Sequence, residues 1–151
     1  EKAVTDNLQL LMQEKKWDSI YTIDEKLIGL FHQAGINVKH KAGDFSSQLA
    51  GVTQSDFLIA RFGSIMVSSG LSSGRRMFSF PESHIVVSSV SQVVPELRDA
   101  LAGMKKKYAG NFPSQITTIT GPSRTADIEK TLVMGAHGPR ELYVFMVDDQ
   151  V

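Results

Sequence analysis

The amino-acid sequence predicts an α/β fold in which a mixed, mostly parallel sheet has helices on both faces. Residues 20–23 form a short β-prone run, and apolar side chains then recur at helical spacing up to Gly35. Residues 36–38 are β-prone again. A strand, a helix and a second strand in this order, with a glycine ending the helix, are typical of a βαβ unit and therefore of parallel pairing.

Two further strand-like runs predict an antiparallel part of the sheet. They lie at residues 56–60 and 64–68, and the connection between them is short enough for a hairpin. The remaining predicted elements are a helix at residues 4–12, a strand at 84–87, a helix from Pro95 to about Lys107, a strand at 116–119, a helix at 125–132 and a closing strand at 142–147. Thr5 or Asp6 is the expected cap of the first helix, and Asp24 that of the second.

The composition restricts the kind of protein. The chain has 151 residues, which is the size of one domain, so residues 1–151 are taken as a single domain. Lys plus Arg and Asp plus Glu number 16 each, so no net charge favours nucleic acid or an anionic membrane surface. The chain has no cysteine, which excludes disulfides, thiolate nucleophiles, Cys-ligated iron–sulfur clusters and Cys-type zinc sites formed by this chain.

The sequence shows no targeting or membrane segment. No apolar run approaches the ~18 residues of a spanning helix, and Glu1 to Asp6 are polar. We therefore expect a cytoplasmic protein without a membrane span. Because the sequence begins without Met, we expect an N-terminal segment to be missing. His32 and His40 have no partner at the spacing of metal ligands, so no metal site is predicted.

The most informative segment is residues 120–129, which follow one predicted strand and open a predicted helix. Gly121 permits a tight exit from the strand and Pro122 stiffens it. The hydroxyl of Ser123 or Thr125 can then cap the helix. Free backbone N–H groups at such a helix start suit a phosphate, a carboxylate or a similar oxyanion. The alternative is an ordinary capped helix whose acidic residues complement the helix dipole.

A second segment, residues 135–141, gathers two glycines, a proline and His137 immediately before the last strand. Flanking glycines let the backbone approach a ligand, and a histidine there can act as acid, base or hydrogen-bond donor. The alternative is that His137 bonds a backbone carbonyl. Ligands of parallel sheets gather at the carboxyl ends of strands, whereas this loop enters a strand. It can reach the Gly121 turn only if the intervening helix is short.

A third segment combines Gly63-Ser64 with residues 68–76, which are rich in serine and glycine. Residues 70–74 fit the G-x-S-x-G pattern of a nucleophile elbow, which requires a helix directly after the serine. Residues 75–81 do not look helical, so we favour a flexible loop that ends in two arginines. Such a loop can hold an anion through its arginines, although exposed arginines are usually ordinary surface residues.

Seven short motifs occur in a recognisable order over about the last two-thirds of the chain. They are Gly51-Val52-Thr53, Leu58-Ile59-Ala60, Gly63-Ser64-Ile65, His84-Ile85-Val86-Val87, Gly121-Pro122-Ser123, Thr125-Ala126-Asp127-Ile128-Glu129 and Gly135-Ala136-His137-Gly138-Pro139. In this order they resemble the motifs of the LutC/YkgG proteins of bacterial lactate utilisation. The sixth and seventh motifs, followed by a strand, are the most specific part of the resemblance.

The resemblance implies a LUD domain of the NagB/RpiA/CoA-transferase-like class of folds. LutC-type proteins are associated with two other lactate-utilisation proteins, one of them iron–sulfur-bearing, in oxidising L-lactate to pyruvate. The absence of cysteine fits a component that is not itself the cluster-bearing subunit, so iron–sulfur and oxidoreductase partner proteins are expected. Related folds bind phosphosugars or acyl-CoA, which is an analogy from fold alone.

Three functional hypotheses follow. The first is a component of an L-lactate oxidation system that binds a small anionic ligand. The second is a stand-alone isomerase or CoA-transferase-like enzyme acting on a phosphorylated sugar or acyl-CoA, with Glu129 or Asp127 as acid, base or nucleophile. The third is a non-catalytic assembly subunit.

The predicted site residues fall into two classes. Glu129 and His137 are the candidates for moving a proton. The candidate ligand-binding residues are Gly63, Ser64, Ser68, Ser69, Gly121, Pro122, Ser123, Thr125, Asp127 and Gly138. The sequence identifies no cofactor.

Overall fold

The computed structural model describes residues 2–41, 49–126 and 132–148. The helices in these ranges are α1 (Lys2–Lys15), α2 (Glu25–Gln33) and α3 (Leu97–Lys107). The strands are β1 (Ile20–Tyr21), β2 (Val38–Lys39), β3 (Ala50–Gln54), β4 (Phe57–Ile59), β5 (Ser64–Ser68), β6 (Ser83–Ser89), β7 (Val93–Val94), β8 (Ile116–Ile119), β9 (Arg124–Thr125), β10 (Val133–Met134) and β11 (Glu141–Val147). None of the described helices has both the length and the apolar character needed to cross a bilayer.

Five strands form a parallel sheet in the order β11-β6-β3-β1-β2, the main sheet. All seven residues of β6 pair with β11, and five of them pair with β3. β1 pairs in parallel with β2 and with β3. The predicted α/β class and its mostly parallel sheet are therefore confirmed, and the predicted βαβ unit is β1, α2 and β2.

Four strands form a second sheet in the order β7-β4-β5-β8. β4 and β5 are the predicted hairpin, and β8 is antiparallel to β5. β7 is parallel to β4. The antiparallel part of the fold is thus a separate sheet and not a margin of the main one.

The two sheets are stacked between helices. The cluster that joins α1 and α2 to the main sheet includes the fully buried side chains Leu8, Phe31, Val52 and Ile85. Between the sheets lie Leu58, Ile65, Val67, Phe78 and Val86. The cluster that joins α3 to the second sheet consists of Ile59, Met66, Ala100 and Met104. Helices therefore lie on both outer sides of the stack.

Two helix starts differ from those expected. α1 begins at Lys2, so Thr5 and Asp6 lie inside it and the caps predicted for it are wrong. α3 begins at Leu97, two residues after Pro95, and ends at the predicted position. Helix ends follow capping contacts more than apolar spacing, which explains these shifts.

The helix predicted for residues 125–132 is wrong at its described ends. β9 pairs antiparallel with β10, so Thr125 lies opposite Val133 and not at a helix start. Residues 127–131 lie outside the described part of the chain. The spacing of apolar residues over so short a stretch fits either a helix or a strand. The pairing of the β-branched residues Thr125 and Val133 favours strands.

One side chain buried in the main sheet is ionisable. His84 on β6 has no exposed surface, and its Nε2 lies 2.8 Å from Thr53 Oγ1 on β3. Its Nδ1 is buried and has no hydrogen-bond partner in the described structure. Burial lowers the pKa of His84 from 6.5 to about 4, because the apolar surroundings disfavour the imidazolium. The ring is therefore neutral near pH 7.

Gly51 on β3 lies directly beneath the segment that leads into β6. A Cβ added to Gly51 would lie 2.4 Å from Cγ of Pro81 and 3.2 Å from Cε of Met77. The proline ring cannot rotate away as a flexible side chain can, so this close approach requires glycine.

The Gly51→Ala variant should lose about 1–3 kcal/mol of unfolding free energy, because the added methyl group overpacks the contact with Pro81. Urea unfolding measures the loss. The matched control is Gly29→Ala, since Gly29 lies in α2 with nothing within 4 Å of the added Cβ. That control should gain about 0.5–1 kcal/mol from helix propensity. Equal midpoints for Gly51→Ala and the parent would contradict the packing described for this contact.

The burial of His84 should make the protein lose stability in acid. Its folded-state pKa lies below the unfolded value, so its contribution is fully present above pH 6.5 and is lost as the pH falls toward 4. The loss is about 3 kcal/mol over this interval. Urea unfolding between pH 7 and pH 4 should show a shallower pH dependence for His84→Gln than for the parent. The exposed His137 supplies the control variant His137→Gln, which should keep the parental slope; a parental slope in His84→Gln would rule out this role for His84.

Candidate functional site

The chain changes direction across the main sheet between β1 and β3. From β1 the chain passes through α2 to β2 on one side, whereas β3, β6 and β11 follow on the other side. The carboxyl ends of β1 and β3 therefore form a topological switch point, which is where open parallel sheets bind their ligands. Asp24 follows β1 and Asp56 follows β3 at this end of the sheet.

A cleft of about 530 Å³, here termed the switch-point cleft, opens at these two strand ends. Its lining includes Asp24, Lys26, Gln54, Ser72, Lys107 and Tyr108. With Glu25, which also lines the cleft, two carboxylates, two ammonium groups and two hydroxyl groups are present. The volume is in the usual range of small-molecule sites.

Asp24 connects the start of α2 to the serine- and glycine-rich loop. Its Oδ1 accepts hydrogen bonds from the backbone N–H groups of Lys26 at 3.0 Å and Leu27 at 3.2 Å, which confirms the predicted cap. Its Oδ2 accepts a hydrogen bond from the hydroxyl of Ser72. Since Ser72 belongs to the loop at residues 70–74, this bond holds the loop at the carboxyl end of β1.

Asp56 is the central group of a polar cluster beside the cleft. Its side chain has no exposed surface, and its Oδ1 accepts hydrogen bonds from Lys107 Nζ and Tyr108 Oη, both at 2.7 Å. Its Oδ2 is buried and has no partner in the described structure. The Lys107 side chain is 41% exposed, so the ammonium group is held by a buried carboxylate while it faces the cleft.

Tyr108 is held in place from two directions. A Cβ added to Gly70 would lie 2.5 Å from a ring carbon of Tyr108, so the loop backbone lies directly against the ring. Ser68 Oγ lies 3.5 Å from Tyr108 Oη and also accepts a hydrogen bond from the Gly70 N–H. Burial raises the pKa of Tyr108, and the hydrogen bond to Asp56 raises it further. The phenol is therefore protonated at neutral pH.

Gly63 and Ser64 lie at an apolar groove of about 250 Å³ and not at the switch-point cleft. The groove also contains Val144 and Met146 of β11. Ser64 Oγ lies 2.8 Å from Thr120 Oγ1, so the structure does bring the hairpin to the segment that precedes the Gly121 turn. The surroundings of Gly63 and Ser64 are nevertheless mainly hydrocarbon.

The Ser123 turn and the His137 loop lie side by side. The Ser123 N–H donates to the carbonyl of Pro139 at 2.8 Å, and a Cβ added to Gly138 would lie 3.3 Å from Ser123 Cβ. Gly121 has a φ of +113°, which explains why a glycine occupies this turn next to Pro122. Since residues 138–140 lead into β11, this pair of loops lies at the amino end of the main sheet.

The predicted anion site therefore lacks the basis on which it was predicted. No helix begins at Thr125, and the backbone N–H of Ser123 already has a protein acceptor. Asp127 and Glu129 lie outside the described residues. His137 is exposed on its loop. The roles predicted for these residues stay predictions.

Ser68 and Ser69 lie far from the other predicted residues. Ser68 ends β5 and Ser69 follows it, so Ser68 lies about 13 Å from Ser64 at the ~3.3 Å rise of a strand residue. Ser68 contacts Tyr108, and Ser69 Oγ lies 3.3 Å from Ser114 Oγ. The residues predicted as one site are thus spread over the apolar groove, the amino end of the main sheet and the edge of the switch-point cleft.

The reasoning from sequence missed the cluster of Asp56, Lys107 and Tyr108. The three lysines that end α3 have the pattern of solvated residues that complement the helix dipole, which fits the exposed Lys105 and Lys106. Lys107 is exposed as well, but it is also paired with the buried carboxylate of Asp56. No strand is predicted at residues 50–54, so the sequence does not place Asp56 at the carboxyl end of a strand of the main sheet.

Comparison with known proteins identifies the family. Residues 11–147 match the family model of the LUD domain. The chain is 37% identical over 116 residues to lactate utilization protein C of Bacillus licheniformis, covering 72% of this chain and 48% of that protein. It is 31% identical over 140 residues to lactate utilization protein C of Halalkalibacterium halodurans, covering 91% of this chain and 54% of that protein. The chain therefore spans about half the length of the curated relatives it matches.

A solved structure supports the same assignment at the level of fold. The crystal structure of a DUF162 family protein from Deinococcus radiodurans superposes with a TM-score of 0.52, covering 95% of this chain and 98% of that chain, at 18% sequence identity. With the family model matching most of the chain and the sequence similarity to lactate utilization protein C, the resemblance seen in the motifs is confirmed. The chain belongs to the LUD domain family.

Proposed function

We propose that this chain is a LutC-like component of bacterial L-lactate utilisation that binds a small carboxylate in the switch-point cleft. The lactate role is supported by the relatives named lactate utilization protein C. The binding role rests on one observation: the buried carboxylate of Asp56 holds the ammonium group of Lys107 at a cleft on the carboxyl end of a parallel sheet.

The hydrogen-bonding capacity of the cluster suits a hydroxy acid or an oxo acid. An ammonium group has three N–H donors, and the bond from Lys107 to Asp56 uses one of them. The others are available to a ligand carboxylate. Tyr108 donates its proton to Asp56, so the phenol oxygen retains lone pairs that can accept from a ligand hydroxyl. L-Lactate carries both groups on adjacent carbons.

The chain's part in the oxidation is to bind and orient, with electron transfer assigned to partner proteins. It contains no cysteine and cannot itself ligate a cluster through thiolates. We expect an iron–sulfur protein and an oxidoreductase as partners. The tagged chain, expressed in a lactate-grown bacterium, should co-purify with iron and with the visible absorbance of a cluster; preparations free of iron would count against this assignment.

An NMR titration of the ¹⁵N-labelled chain with L-lactate and with pyruvate tests the binding site. The amide signals of Gln54, Gly70, Ser72 and Tyr108 should shift, because these residues line the switch-point cleft. The Lys107→Met variant should bind about tenfold or more weakly, since a hydrogen bond to a charged group is worth about 1.5–3 kcal/mol. The matched control is Lys106→Met, which removes the preceding, exposed lysine of α3 and should bind normally.

Two further measurements keep the result interpretable. Removing Lys107 alone leaves a buried carboxylate with one donor, so the double variant Asp56→Asn, Lys107→Met removes both charges together. Its thermal unfolding is measured beside its binding. Shifts confined to Ser123, Gly138 and His137 would favour the residues predicted from sequence, at the amino end of the main sheet, and would refute the switch-point cleft. A titration without shifts would refute the binding role itself.

A further inference from the structure

A second cleft lies on the other side of Ile23 from the switch-point cleft. It has a volume of about 410 Å³, and its lining includes Tyr21, Ser73, Gly74, Arg75 and Arg76; it is termed the arginine cleft. Ile23 lines both clefts. The loop at residues 70–77 contributes its first part to the switch-point cleft and its second part to the arginine cleft. Both therefore lie at the carboxyl end of β1.

The charge of the arginine cleft is one-sided. Arg75 and Arg76 line it, and no acidic residue does. Neither arginine forms an ion pair with an acidic residue in the part of the chain that the structure describes, whereas Arg61 pairs with Glu96 and Arg140 with Glu82. The Arg75 guanidinium donates one hydrogen bond to Ser114 Oγ and has four further N–H donors. Both arginines thus line the cleft without compensation by a described carboxylate, although the Arg75 guanidinium also bonds Ser114 outside the lining.

Ser73 provides an independent observation. The residue is 3% exposed and belongs to the cleft lining. Its Oγ is fully buried and has no hydrogen-bond partner in the described structure. Buried hydroxyl groups in folded proteins are nearly always hydrogen-bonded, so a hydroxyl without a partner in a cleft wall is a donor still to be satisfied. Its donor proton is suited to an oxyanion.

We infer that the arginine cleft binds a phosphate-type dianion, either inorganic phosphate or the phosphoryl group of an organic ester. Two guanidinium groups match a double negative charge, and the planar N–H fork of arginine suits phosphate oxygens. The Ser73 hydroxyl, which is buried in the cleft wall, can supply a donor to a further oxygen when its side chain rotates about χ1. A carboxylate carries one charge and two oxygens and would leave part of this donor set unused. The inference concerns a different cleft from the proposed lactate site and does not depend on it.

Isothermal titration with inorganic phosphate and with glycerol 3-phosphate tests the inference, with acetate as the singly charged comparison. Both phosphates or one of them should bind, and acetate should bind about tenfold or more weakly. Binding of inorganic phosphate would show that the free ion alone is recognised by the cleft. Binding of the ester alone would show that the cleft recognises the phosphoryl group only as part of a larger molecule. The absence of binding by both phosphates overturns the inference.

Variants locate the binding. Arg76→Met and Ser73→Ala should each weaken phosphate binding, Arg76→Met by about tenfold or more. Ser73→Ala removes a hydroxyl without a protein partner, so the variant should fold normally. Arg98→Met on α3 is the matched control, because that side chain is 86% exposed and distant in sequence from the loop. Equal affinities in all three variants overturn the site. Phosphate affinity should fall much less in Lys107→Met than in Arg76→Met, and lactate affinity should show the reverse order, which separates this result from that of the lactate titration.

Discussion

The two oxygens of Asp24 join the first βαβ unit to the loop that forms one wall of both clefts. One oxygen caps α2 and thereby starts the crossover that takes the chain from β1 to β2. The other holds Ser72. Asp24 is itself buried, so both contacts form in surroundings where an unmade hydrogen bond costs free energy. Loss of this carboxylate would release a helix start and a cleft wall together.

The cluster around Asp56 is poorly explained by stability alone. Burial of a carboxylate carries a desolvation penalty of several kcal/mol, and a well-packed apolar contact at such a place often stabilises a protein as well or better. Only one of the two Asp56 oxygens has a partner in the described residues. A functional role explains the arrangement better, since it holds the ammonium group of Lys107 and the phenol of Tyr108 at one cleft with little freedom to move. Gly70 completes this arrangement because it lets the loop backbone lie against the Tyr108 ring.

The features predicted correctly depend on neighbours in sequence. Asp24 and the amide groups it caps are two and three residues apart, and the hairpin of β4 and β5 has a short connection. Asp56 and Lys107 are 51 residues apart, and a single sequence contains no local pattern that joins them. The family resemblance indicated the fold class correctly. It did not indicate the cluster of Asp56, Lys107 and Tyr108, because the residues that carry the resemblance lie partly at the amino end of the main sheet, where β9 replaces the expected helix start.

The position of Ile23 has a consequence for how two ligands would affect each other. The partly exposed side chain of Ile23 lines both clefts, so a carboxylate in one cleft and a dianion in the other would repel each other across it. Binding of one anion would therefore weaken binding of the other. By thermodynamic linkage each anion would lower the affinity for the other by the same factor. The concentration of one ligand would therefore change the concentration at which the other half-saturates its cleft.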